Sequence, residues 1–224
     1  IIHYCKNETI QGIQIKDEPS FKSPIFVDMS SCLFSENIDV SKYDFIYACA
    51  QKNFGPAGIT LVIANKELIS KSNPKLPNIL RYDAHASEKS MLNTPNTFGW
   101  YVAGKMFDWY TKEGGIKKME DRSIKKSDLL YSFIDSSDFY INPVSKEQRS
   151  ICNVVFTLSN PDLDSKFLEE SNAEGLKYLK GHRTVGGMRA SIYNSLPMDA
   201  VESLVDFMRS FEAVSYTHLT LPTI

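Results

Sequence analysis

Apolar positions along the chain follow two rhythms. Short runs with little or no charge read as buried strands: residues 1–5, 24–28 and 43–50, then, after a tight loop, 59–64. Longer stretches repeat apolar residues at helical spacing. Phe98, Tyr101, Val102, Phe107 and Trp109 predict a helix introduced by the Asn93-Thr94-Pro95 turn and stopped by Gly114-Gly115, with its aromatics in the core. Met119, Ile124, Leu129, Leu130 and Phe133 predict a second helix over about 116–134. Between strands and helices, a short helical turn begins at Asn65, and residues 83–91 are polar and irregular, a candidate mobile or subunit-contacting segment.

From Tyr140 the texture changes to short strands and amphipathic helices. A strand over 151–158 precedes a helix over 162–179, in which Phe167, Leu168, Ala173, Leu176 and Leu179 face inward. A paired strand over 184–193 follows, and Pro197 opens a last helix carrying Val201, Leu204, Val205, Met208 and Phe211. The pattern predicts an α/β part over 1–139 and a smaller α+β domain over 140–213. Residues 214–224 lack charge and helical periodicity and are expected to be a non-native tail.

Composition narrows the partners. With 42% hydrophobic and 23% charged residues, the chain has the profile of a globular protein able to bury a sizeable core. A net charge of -2 gives no long-range attraction for nucleic acid or an anionic membrane. No apolar run approaches the length that spans a bilayer. Cys5, Cys32, Cys49 and Cys152 are widely separated, without a CxxC pair or zinc-ligand spacing, so a reduced, cytoplasmic setting and no metal site are expected.

Chemistry concentrates at Gln51-Lys52-Asn53-Phe54-Gly55-Pro56-Ala57-Gly58, where a lysine stands just past a buried strand. A lysine at a core rim can become a nucleophilic amine and form a Schiff base with an aldehyde; a solvated lysine before a Gly-Pro turn is the alternative. Asp28 ends the strand 24–28, at the end where α/β sheets place ligands, and reads either as a ligand carboxylate or as a turn cap. Thr9 is a turn residue or a donor, and Arg189 in its glycine-rich strand is a structural, solvated or anion-binding residue.

The segments 7–12, 27–31, 50–58, 93–98 and 181–194, in that order, resemble the motifs of the phosphoserine aminotransferase family, which is class V and fold type I among pyridoxal phosphate enzymes. The resemblance runs from about Ile2 to Glu212. It implies that residues 1–139 are part of the large cofactor-binding α/β domain and that the chain is a carboxyl-terminal portion of such an enzyme. It further implies that Lys52 carries pyridoxal 5'-phosphate, that Asp28 pairs with the pyridine nitrogen, that Thr9 lies near the ring hydroxyl and that Gln51 holds the phosphate. Asn93 and Thr94 would complete the phosphate site across a homodimer interface. Arg189 would clamp the substrate α-carboxylate, and His182 and Arg183 the phosphate of phosphoserine or the distal carboxylate of glutamate. The family's ring-stacking aromatic residue, first phosphate loop and further His-Arg pair have no counterpart, so weak cofactor binding and little turnover are expected of these 224 residues alone. Another fold-type I enzyme, including a cysteine desulfurase, and a non-catalytic fragment remain the alternatives.

Overall fold

The computed structural model describes residues 1–17 and 19–220, with only the backbone described for 216–220. Residues 221–224, on which part of the expected tail falls, lie outside the described residues. Strands β1 (Ile2–Cys5), β2 (Asn7–Glu8), β3 (Ile13–Gln14), β4 (Ile25–Asp28), β5 (Phe45–Cys49) and β6 (Thr60–Ala64) come first. Helices α1 (Lys66–Ile69), α2 (Tyr82–Ser87), α3 (Thr97–Lys112) and α4 (Gly115–Asp135) follow. The remaining order is β7 (Tyr140–Ile141), β8 (Asn153–Leu158), α5 (Asp164–Ala173), β9 (Met188–Ser191) and α6 (Met198–Thr220). Two compact units result, the first made of residues 1–7 and 15–119, the second of 8–14 and 120 onward. The division thus runs through α4, whereas the change of sequence texture falls at Tyr140.

In the first unit, a sheet runs in the order β1-β4-β5-β6, with β1, β4 and β5 parallel and β6 antiparallel. Strand alternation gives it two unlike faces. Ile25, Val27, Ile46 and Ala48 are buried on one, while Phe26, Asp28 and Tyr47 stand half-buried on the other.

The expected aromatic core of α3 is not found. Phe98 is 70% exposed and Tyr101 64%. The helix buries Gly99, Ala103 and Tyr110 instead. Small residues win this face because the backbones approach closely: a Cβ on Gly99 would lie 2.8 Å from the Ile59 side chain, and one on Gly55 3.5 Å from the Ala103 Cβ. The polar segment 83–91 is also more ordered than its composition suggests, since 82–87 form α2, with Arg81 and Asp83 paired at its start.

In the second unit, β7, β8 and β9 form an antiparallel sheet. One face carries Val154, Phe156, Leu158, Met188, Ala190 and Ile192 into a core completed by Leu130 and Ile134 of α4, Phe167 of α5 and Val201, Leu204, Met208 and Phe211 of α6. The other face carries Asn153, Val155, Arg189 and Ser191, in register as Asn153 with Ser191 and Val155 with Arg189. Helix α5 ends at Ala173, short of the expected 179, because Gly175 adopts φ +84 and turns the chain. Strand β9 likewise covers only 188–191 of the expected 184–193. Helix α6 continues through Thr220.

On α4 the buried stripe is Ser123, Lys126, Ser127, Leu130, Tyr131 and Ile134, while Ile124, expected inside, is 40% exposed. The Lys126 ammonium is buried and donates to the Tyr193 carbonyl at 2.6 Å and the Leu196 carbonyl at 2.9 Å, fastening the turn after β9. Burial lowers its pKa from 10.5 to about 8; Cys152 opposes that shift and Arg122 reinforces it.

Two stability predictions follow from this packing. Phe156 packs between the rings of Tyr140 and Phe167 at 5.8 and 5.9 Å, so Phe156→Ala opens a cavity, and urea unfolding should show a loss of about 3–5 kcal/mol. For Lys126, between pH 8 and 10.5 the unfolded chain holds a proton that the folded chain has released. Stability therefore rises with pH across that window. In parallel unfolding titrations the parent should gain roughly 2 kcal/mol that Lys126→Met does not.

Candidate active site

The parallel pairing of β4 and β5 brings their carboxyl ends to the same edge of the first sheet, and two predicted residues meet there. Asp28 is the last residue of β4, and Lys52 closes the single turn of 3-10 helix, Ala50–Lys52, that follows β5. Hydrogen bonds stitch the two ends together: the Met29 N–H donates to the Tyr47 carbonyl at 2.9 Å, and the Cys49 N–H to Ser30 Oγ at 3.0 Å. The Ser30 N–H donates to Asp28 Oδ1 at 2.8 Å, fixing one carboxylate oxygen.

The lysine turn is anchored from beneath by Asn53, which sequence reasoning passes over. Its buried amide donates to the Leu33 carbonyl and to Ser35 Oγ, both at 2.9 Å, and its own carbonyl accepts from the Tyr110 hydroxyl at 2.7 Å. Asn53, Phe54 and Gly55 all direct their N–H groups to the Ala50 carbonyl. Lys52 thus leaves a turn whose polar groups are already committed, half-buried, with Gln51 exposed beside it. The signal for Asn53 is one of chemistry: an amide flanked by Lys52 and Phe54, at the head of a glycine turn, needs several buried partners.

Tyr47 lies beside Asp28 in register. Burial first, and then the neighbouring Asp28 charge, raise the phenol above its ordinary pKa. Asn93 and Thr94 are exposed in the segment before α3, where the Asn93 amide donates to the Thr94 carbonyl at 3.2 Å.

Thr9, His182, Arg183 and Arg189 belong to the second unit. The Thr9 loop is closed by the Gly12 N–H on the Glu8 carbonyl at 3.0 Å, and it docks on β8. Gly12 has φ +68, and a Cβ there would lie 2.7 Å from the Asn153 carbonyl and 3.1 Å from Val155, so only glycine lets the loop lie this close. Because Val155 is the register partner of Arg189, the loop covers the sheet face that bears this arginine.

Arg189 is half-buried, and its Nε is sealed from solvent without a hydrogen-bond partner. Beside it, the Asn153 amide reaches Ser191 Oγ and the Tyr193 hydroxyl, both at 3.1 Å. Burial raises the Tyr193 phenol, and its bonds to Asn153 and Ser191 and the Arg189 charge pull it back. Asn153 and Tyr193 are further residues that the sequence reading does not single out. The His182-Arg183 turn is held by the Val185 and Gly186 N–H groups on the His182 carbonyl and by the Gly181 N–H on the Gly187 carbonyl. A Cβ at Gly181 would collide with the Gly186 carbonyl. The Thr184 N–H donates to His182 Nδ1 at 3.3 Å. Arg183 is exposed.

Comparison with known proteins agrees over most of the chain. It is 53% identical over 212 residues to phosphoserine aminotransferase of Buchnera aphidicola subsp. Acyrthosiphon pisum, a match that covers 94% of this chain and 59% of that protein. The structure is similar to phosphoserine aminotransferase from Bacillus circulans subsp. alkalophilus, with TM-score 0.92, 40% identity and coverage of 95% and 60% of the two chains. It is also similar to pyridoxal phosphate-bound phosphoserine aminotransferase from Trichomonas vaginalis, with TM-score 0.88, 39% identity and coverage of 92% and 59%. The chain therefore spans about three fifths of the length of the relatives it matches. Residues 1–204 match the family described as aminotransferase class-V, and to that family the chain belongs.

Proposed function

We propose that this chain is the greater part of a phosphoserine aminotransferase that uses pyridoxal 5'-phosphate to move an amino group between glutamate and 3-phosphohydroxypyruvate, giving O-phospho-L-serine and 2-oxoglutarate in serine biosynthesis. In bacteria the same chemistry on a phosphorylated hydroxythreonine would also serve pyridoxal phosphate biosynthesis. The observation that carries the reading is the stitched edge that sets Lys52 and Asp28 at the carboxyl ends of adjacent parallel strands, inside a sequence 53% identical to a phosphoserine aminotransferase.

The residues fit the cofactor. An aldehyde needs an amine, which Lys52 offers, and a pyridine nitrogen that stays protonated needs an acid, which Asp28 offers with its Oδ1 already fixed by Ser30. The bound cofactor supplies the electron sink for the carbanion. Lys52 Nζ moves the proton to and from the substrate α-carbon. Gln51, Asn93 and Thr94 hold the phosphate, and Thr9 lies by the ring hydroxyl. The unpartnered Nε of Arg189 supports a carboxylate clamp, since a guanidinium edge in that state gains most from a bidentate anion. His182 and Arg183 take the distal phosphate or carboxylate.

A homodimer in the cytoplasm goes with this reading. In the first unit Ile79 is 60% exposed, Leu80 63%, Met91 56%, Phe98 70% and Tyr101 64%, and they bracket Asn93 and Thr94 in sequence. Exposed apolar side chains in such number mark a contact surface, and a second copy would cover them while receiving Asn93 and Thr94. Among the described residues no helix is long and apolar enough to cross a membrane.

The test uses the chain joined to the remaining two fifths of its Buchnera relative. Borohydride reduction with pyridoxal phosphate should label Lys52 by peptide mapping, and Lys52→Ala should lose both label and turnover; retention of both would end the assignment. Arg189→Lys, which forfeits the bidentate geometry, should lower kcat/KM for glutamate and phosphoserine alike by about 10- to 100-fold while cofactor binding is unchanged. In sedimentation equilibrium the joined chain should run as a dimer that Phe98→Glu with Tyr101→Glu converts to monomer.

A further inference from the structure

Past the end of β4 the chain makes a tight turn, in which the Cys32 and Leu33 N–H groups donate to the Met29 carbonyl at 3.1 and 2.8 Å. Asp28 joins that turn through the Ser30 N–H on its Oδ1 at 2.8 Å, so the direction of the carboxylate follows the placement of the turn. Strand β4 lies between β1 and β5. Two consecutive serines tie the turn to both of these neighbours. Ser30 Oγ accepts from the Cys49 N–H at the end of β5 at 3.0 Å, and Ser31 reaches Asn7, which follows β1.

The Asn7–Ser31 contact is a clasp of two bonds. The Asn7 side-chain amide donates to Ser31 Oγ at 2.7 Å, and the Ser31 hydroxyl donates to the Asn7 carbonyl, also at 2.7 Å. A hydroxyl has one proton, which goes to the carbonyl, so its oxygen is the acceptor for the amide. Both residues are buried. Away from water such bonds are stronger, and breaking one strands its partner. An apolar pair would fill the same space without direction, whereas this pair fixes the rotamer of Ser31 and with it the turn. Main-chain pairing runs alongside, since Cys5 is the register partner of Asp28 and the Lys6 N–H donates to the Asp28 carbonyl at 3.0 Å. The backbone of Asp28 is thus held by β1, and its carboxylate by a turn pinned from two sides.

We propose that Asn7, Ser31 and Ser30 are positioning residues that aim the Asp28 carboxylate for its bond to the cofactor's pyridine nitrogen. This rests on the function proposed above. All three act through Asp28. Their effect is to hold an acid that would otherwise rotate about its own side-chain bonds, with one oxygen on the Ser30 N–H and lone pairs kept for a second donor.

The experiment uses the joined chain and has one arm that needs no cofactor. In hydrogen exchange followed by NMR, Ser31→Ala in the cofactor-free protein should speed exchange of the Ser30 amide about tenfold, while amides of the β5–β6 ladder keep their rates. An unmoved Ser30 amide overturns the clasp. With 15N-labelled pyridoxal phosphate, Ser31→Ala should weaken cofactor binding about fivefold to tenfold and move the ring-nitrogen signal toward unprotonated pyridine. Asn7→Ala should do the same in smaller measure. The double variant should be no worse than Ser31→Ala, because no amide is then left without its acceptor; losses that add overturn the pairing. Ser30→Ala, which releases the turn from β5 instead, should move the nitrogen signal in the same direction and decides the matter if Ser31→Ala does not fold. Folded variants whose affinity and nitrogen signal match the parent overturn the proposal. A parent protein that binds no cofactor overturns the functional reading instead, and the Ser30 exchange rate still decides whether the clasp holds the Asp28 turn.

Discussion

The parallel register of β4 and β5 is the constraint from which the rest of the first unit follows. Parallel strands end on the same side of a sheet, and whatever chemistry each chain carries past its last ladder bond is delivered to that side. Here the two ends are tied by Met29 to Tyr47 and by Cys49 to Ser30, so the carboxylate of Asp28 and the turn of Lys52 are held relative to each other by main-chain groups and one short hydroxyl rather than by long side chains. Backbone ties are short and have few rotamers to lose. An acid and an amine placed this way need little further ordering when a ligand arrives.

Buried polar groups secure what the hydrophobic core cannot specify. Apolar packing fixes that a helix lies on a sheet, yet it tolerates small slides; a residue whose side-chain amide and main-chain carbonyl have three committed partners does not. Asn53 joins the lysine turn to Leu33, Ser35 and the α3 residue Tyr110, and removing its side chain would take a donor from the buried Leu33 carbonyl at a cost of about 1–3 kcal/mol. In the second unit Lys126 performs the same task for the turn after β9, at the cost of a depressed ammonium pKa. Both residues lie against loops, where a slide would displace the candidate site rather than only the core.

Local features of the chain were legible and non-local ones were not. The strand, turn and strand around Lys52, the carboxylate ending β4, and the start of α6 at Pro197 all follow from runs a few residues long. The errors share one cause. Phe98 and Tyr101 look like core residues because hydrophobicity is a property of the residue, whereas burial depends on what packs there; Gly99 and Ala103 took the face by permitting closer approach. The 8–14 loop sits with the second unit because Gly12 lets it lie on Asn153 and Val155, a contact between residues about 140 apart that no periodicity announces. The alignment of Cys5, Asp28 and Tyr47 is equally invisible, since it depends on the register of three strands.

Satisfied and unsatisfied groups separate structural from functional polarity in this chain. Asn53 and Lys126 spend their donors on carbonyls and a hydroxyl of their own unit. Arg189 differs: it is packed on the sheet face covered by the Gly12 loop, its neighbours Asn153, Ser191 and Tyr193 bond to one another, and its Nε is enclosed without a partner. A buried donor in that state carries a desolvation penalty of about 1–3 kcal/mol. An anion that accepts from it removes the penalty and gains the bond as well, so the free energy withheld on folding reappears as affinity. A lysine could not be loaded in this way, because its mobile ammonium would turn to find a carbonyl, as Lys126 has done. The fixed fork of a guanidinium, held by a strand on one side and a glycine-tight loop on the other, has no such freedom, and its Nε stays enclosed without an acceptor.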